Sequence, residues 1–183
     1  MKHRLTIGMI TIFMAISSAV FSQGQDKKAD SAFVFTVVKQ LPATSVKNQY
    51  RSGTCWSYSA ISFLESEILR AKKDTLDLSE MYCVRKCYSD KAEMYVRYHG
   101  KHNFGGGGEA HDVTYVLKNY GMVPDAIYSG NLPGEDKPVH GEMDAVLSAN
   151  VEAVIKNPNN KLCSVWKQGF DGLLDAYLGK TPD

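Results

Sequence analysis

The chain has 183 residues, which sets an expectation of one domain or part of a larger one. Hydrophobic residues make up 44% and charged residues 22%, so a core can form and global disorder is excluded. With 21 basic and 20 acidic residues the formal net charge is +1, which gives no field to steer nucleic acid or an acidic partner.

The N-terminus reads as a targeting segment. Lys2, His3 and Arg4 precede an apolar run from Leu5 to Phe21. Small residues (Ser17, Ser18, Ala19, Ser22) close that run, and the polar stretch QGQDKKADS follows. This is the order of a secretory signal. The apolar run is short for a membrane span, and no stop-transfer flank follows it. Residues 1–22 are therefore expected to be a signal peptide and residues 23–32 a polar linker. The mature chain is expected to be exported, periplasmic or secreted, with no stable membrane insertion.

Residues 33–49, FVFTVVKQLPATSVKNQ, are expected to be extended, since the apolar run is β-rich and Pro42 stops a helix. A helix is predicted from Cys55 to about Lys73. Trp56, Ala60, Phe63, Leu64, Ile68 and Leu69 recur at helical spacing, with Glu65, Glu67, Arg70 and Lys72 largely off that face. A second predicted helix opens after Ser79 as N-cap and ends before Gly100. A third covers residues 109–121 behind the run NFGGGG, with Val113, Val116 and Leu117 on one face and Gly121 as C-cap. Two amphipathic helices, about 141–156 and 161–178, close the chain.

The chemistry concentrates at the start of the first helix. A helix N-terminus carries about half a positive elementary charge and unpaired N–H groups, so it stabilises a nearby anion. Cys55 stands there, and the thiolate is the nucleophilic form of cysteine. Acyl transfer needs two donors for the developing oxyanion. The Cys55 N–H can be one and the side-chain amide of Gln49 the other. Gly53 suits the tight loop between them, and Trp56 offers an apolar wall beside the thiol. A lone cysteine in a helix is most often a small buried hydrophobe, but here Gln49, Gly53, Trp56 and the helix start agree.

These residues, Gln49-Tyr-Arg-Ser-Gly53-Thr-Cys55-Trp56, resemble the active-site motif of papain-like cysteine peptidases. Three further blocks agree in order: LSE at 78–80, the pair Gly107–Gly108, and Tyr120–Gly121 followed by AIYSG around Tyr128. Secreted papains usually carry a disulfide-bonded Cys three residues before the nucleophile, where this chain has Ser52. That form, RSGTCW, with a long segment between LSE and the glycines, resembles the bleomycin hydrolase or aminopeptidase C branch. The resemblance implies an α+β papain-like fold, of which this chain would hold mainly the helical N-terminal half (33–138) and part of a helical insertion (139–183). It implies that Cys55 is the nucleophile and Gln49 the oxyanion-hole residue. Gly107 and Gly108 would line the substrate strand, with Trp56 nearby, and Ala110 would border the pocket for the second substrate residue. It implies no cofactor, a peptide as substrate, a homo-oligomer of the full-length enzyme, and a β-rich C-terminal half as the missing partner.

That partner matters because the reaction needs a His base and an orienting Asn, which the family draws from the β-rich half. The chain is thus expected to be a fragment that is weak or inactive alone. His140 has a loose likeness to the family's His segment but precedes a helix. His111 is expected at the cleft rim, and His99 and His102 in a solvated loop. Cys83, Cys87 and Cys163 permit disulfides without demanding them. Cys83-x3-Cys87 with His99-x2-His102 is a zinc pattern in outline only, with intervals that do not fit, and two free thiols in a helix are the expectation. The glycine run lacks the Lys of a phosphate loop. A non-catalytic peptide-binding or inhibitory module is the competing functional class.

Overall fold

The computed structural model describes residues 33–131 and 134–182. The expected signal peptide and linker lie outside the described residues. Five helices follow in order: α1 Cys55–Lys72, α2 Glu80–Arg97, α3 Ala110–Tyr120, α4 Gly141–Ile155 and α5 Trp166–Leu178. All five stand within a few residues of their expected places.

The described residues are mainly helical, as expected of the helical half of the fold. Only two isolated bridges occur among them, Arg51 with Val139 (parallel) and Leu78 with Pro124 (antiparallel). The β-rich run 33–49 forms no strand. A strand needs a ladder partner, and none is present there; Val34, Val38 and Val46 are almost fully exposed.

Residues 41–183 form one compact unit. Helix α2 is its centre and packs against each of the other four helices. It buries Met81, Tyr82, Cys83, Val84, Cys87, Tyr88, Ala92 and Val96. Against it α4 places Met143, Leu147 and Val151, and α5 places Phe170, Leu174 and Leu178. The Phe104 ring wedges edge-on between Tyr88 and Phe170, with centroids 6.1 and 5.9 Å away. Arg85 ties α2 to α5 through Asp175 at 2.8 Å. Helices α4 and α5 thus share one core with α2.

Caps set the helix limits. Ser79 accepts from the Tyr82 N–H at 2.9 Å and starts α2. A reciprocal capping box of Glu109 and Asp112 starts α3. Lys73, left-handed at φ 58°, ends α1.

One face of α1 differs from expectation. Phe63 is 64% exposed, while Glu65 is fully buried. One oxygen of Glu65 is paired there: Oε1 accepts from Lys47 Nζ at 2.9 Å and from the Leu78 N–H at 2.8 Å, while Oε2 has no hydrogen-bond partner among the described residues. Lys47 Nζ also lies 2.7 Å from Asp77 and 2.9 Å from Glu80. Burial alone would lower the Lys47 pKa, but its bonds to Asp77, Glu65 and Glu80 outweigh burial and raise it. Among the described residues no helix is long and apolar enough to cross a membrane.

Candidate active site

The loop from Asn48 to Thr54 is built by its own side chains. Asn48 Oδ1 accepts from the Tyr50 N–H at 2.9 Å. The Gln49 carbonyl accepts from both the Ser52 N–H, at 3.3 Å, and the Ser52 hydroxyl, at 2.8 Å. Tyr50 and Gly53 take left-handed backbone, φ 46° and 67°. A Cβ at Gly53 would meet nothing within 4 Å, so the glycine serves conformation and not space. Thr54 stands at the N-cap yet makes no side-chain cap. Its hydroxyl is shared with Ser52 instead. The end of α1 is therefore left uncapped, with no acidic residue in its first turn. Cys55 is the first residue of that helix and is exposed. An exposed thiol at an open helix N-terminus is suited to nucleophilic work.

A second segment is fixed to the residue after the thiol. Trp56 Nε1 donates to the Gly106 carbonyl at 2.9 Å. Lys91 Nζ donates to the Gly107 carbonyl at 2.6 Å and sits 5.3 Å over the Trp56 ring. At Gly108 there is no room for a side chain: a Cβ would stand 2.6 Å from Trp56 Cε2 and 2.8 Å from Asp112 Oδ2. Gly107 and Ala110 are exposed. The indole is buried, 6% exposed, because it lies under the glycine segment and clamps it.

No histidine among the described residues bonds the Cys55 thiol. His111 is exposed and lies 3.6 Å from Asp112. His99 follows α2 in left-handed backbone, and His102 stacks on Tyr98. His140 is buried, with neither ring nitrogen in a hydrogen bond of full geometry. Burial pushes its pKa down, against the partial opposition of Asp144 and the Ser52 carbonyl.

All four cysteines are free. Cys83 and Cys87 are buried in α2, where a hydrogen bond with Cys83 and then burial push the Cys87 thiol well above the ordinary range. A thiol held protonated is inert. Among the described residues no three metal-capable side chains are grouped.

Two contacts that hold this site have no signal in local sequence. One is Lys91 on the glycine carbonyl. The other straps residues 138–140 to the nucleophile loop: the Arg51 N–H donates to the Pro138 carbonyl and the His140 N–H to the Arg51 carbonyl, both at 3.1 Å.

Residues 34–164, well over half of the chain, match the family described as papain family cysteine protease. The chain belongs to the papain family. The five helices of the described residues are consistent with part of a papain fold. Among papain-type relatives, cathepsin J of Rattus norvegicus is 28% identical over 120 residues, which covers 65% of this chain and 32% of that protein. Peptidase 1 of Psoroptes ovis is 33% identical over 85 residues, covering 46% of this chain and 22% of that protein. The chain thus spans about a third or less of the length of the curated relatives it matches.

Proposed function

We propose that this chain carries the nucleophile half of a cysteine-type peptidase. The observation that carries the reading is Cys55, exposed as the first residue of an uncapped helix and one residue from the Trp56 that fixes the glycine segment. In this reading the Cys55 thiolate attacks a peptide carbonyl carbon. The resulting oxyanion accepts from the Cys55 N–H and the Gln49 side-chain amide. Substrate backbone lies along Gly107 and Gly108, with the second side chain near Ala110. Collapse expels the amine, which takes a proton from an imidazolium, and leaves a thioester that water hydrolyses. The imidazole and its orienting Asn come from polypeptide outside these residues, so the chain works as part of a longer protein. The form RSGTCW with Ser52 supports the bleomycin hydrolase or aminopeptidase C branch, and with it an aminopeptidase acting in a homo-oligomer. Residues 1–22 support export.

A second reading, a non-catalytic peptide-binding or inhibitory module, is favoured by one observation. No imidazole among the described residues bonds the Cys55 thiol.

The test is hydrolysis of fluorogenic dipeptides by the chain extended with its downstream coding sequence. Turnover that Cys55→Ser abolishes supports the peptidase. Preference for a free over a blocked substrate amine supports the aminopeptidase. Binding without turnover in the extended protein would favour the module.

A further inference from the structure

Behind the loop that carries Gln49 and Cys55 lies a buried polar cluster drawn from distant parts of the chain. The Ser52 main-chain carbonyl comes from the loop itself, and Tyr88 comes from α2. His140 and Asp144 come from the start of α4, and Gly106 from the glycine segment. The Tyr88 hydroxyl donates to the Asp144 carboxylate. A Cβ on Gly106 would stand 3.0 Å from Tyr88 Oη, 3.4 Å from the Ser52 carbonyl oxygen and 3.6 Å from Asp144 Oδ2. The groups therefore meet at one point, where the nucleophile loop and the glycine segment touch.

His140 joins this point twice. Its main chain straps the loop, with its N–H on the Arg51 carbonyl at 3.1 Å and its own carbonyl accepting from the Asp144 N–H at 2.7 Å. Its ring is 3% exposed and faces two acceptors, the Ser52 carbonyl and the Asp144 carboxylate. Neither ring nitrogen makes a hydrogen bond of full geometry, and the Ser52 carbonyl is a weak partner. An unbonded buried polar group costs stability that an apolar side chain of similar size would restore. Packing alone would be served better by Leu. Such a costly buried group, set against a functional loop, points to a role in the site.

We infer that His140 is a positioning residue for the proposed peptidase site: from behind, its imidazole sets the loop that presents the Cys55 thiol and the Gln49 amide. The inference rests on Cys55 being the nucleophile.

The experiment compares modification of Cys55 and of Cys163 by a dipeptidyl chloromethyl ketone, whose carbonyl uses the oxyanion donors. Both rates come from peptide mass spectrometry of the chain extended with its downstream coding sequence, and thermal melting is measured on the same preparations. Cys163 is exposed in a loop and serves as the internal reference. In the wild type Cys55 reacts faster than Cys163. In His140→Leu the melting temperature rises while the Cys55 rate falls about tenfold or more relative to Cys163, as a small misplacement of reacting groups requires. His140→Asn or His140→Gln, each keeping a side-chain N–H donor, returns most of the rate.

An unchanged Cys55 rate in His140→Leu overturns the inference and leaves the nucleophile reading intact. A His140→Leu that melts lower, or does not fold, shows a packing role and overturns it as well, as does rescue by neither polar variant. Equal rates at Cys55 and Cys163 in the wild type sink the nucleophile reading and the inference with it.

Discussion

The indole Nε1 of Trp56 donates to the carbonyl oxygen of Gly106, 2.9 Å away across fifty residues of chain. Trp56 is the neighbour of Cys55, so this bond sets the glycine segment relative to the start of α1. The same ring also fills the space where a Cβ of Gly108 would stand.

The two glycines are therefore unequal. Gly107→Ala meets nothing within 4 Å and is expected to fold with wild-type stability. Gly108→Ala drives a methyl into Trp56 Cε2 at 2.6 Å and into the Asp112 capping box. It is expected to destabilise by about 1–3 kcal/mol, the cost of overpacking. Urea unfolding of both variants measures the difference, and equal midpoints would contradict the clamp.

Among the described residues Lys47 is the one cation paired with Glu65, Glu80 and Asp77. Glu65 is fully buried. Lys47→Met strips that carboxylate of its charge partner and is expected to destabilise by about 3–5 kcal/mol. The urea midpoint should fall with little change in slope. The double variant Lys47→Met, Glu65→Gln should recover a large part of the loss, because it removes the stranded charge.

Helices α2 and α3 are legible in the sequence because they have local punctuation. Ser79 caps α2, Glu109 and Asp112 box the start of α3, and Gly121 ends α3. The burial of Glu65 in place of Phe63 is not legible, because its cause is Lys47, eighteen residues upstream. The strap from residues 138–140 onto Arg51 is equally hidden, since it is main-chain pairing and leaves no side-chain pattern. The bond from Trp56 to the Gly106 carbonyl is not legible either, because it joins residues fifty positions apart. The motif from Gln49 to Cys55 is legible because it is local: a single loop and a helix start hold both residues.

Acid should act on stability through His140. Burial lowers its folded-state pKa below the ordinary 6.5, with Asp144 and the Ser52 carbonyl opposing in part. The unfolded chain therefore takes up this proton at a higher pH than the folded chain. The contribution of neutral His140 is present above the unfolded value and is lost as the pH falls through the folded pKa. Asp144, and Tyr88 bonded to it, face the same cluster. Melting temperatures followed from about pH 8 to about pH 5 should fall further in the wild type than in His140→Leu. Parallel curves would contradict this.

The measurement that bears most directly on the site is adduct mapping with an E-64-type epoxide. The chain extended by its downstream coding sequence would be labelled, digested and analysed beside its Cys55→Ala variant. A single adduct on Cys55, lost in the variant, is the predicted result. Absence of an adduct on Cys55, or an adduct on exposed Cys163 in its place, would contradict Cys55 as the nucleophile.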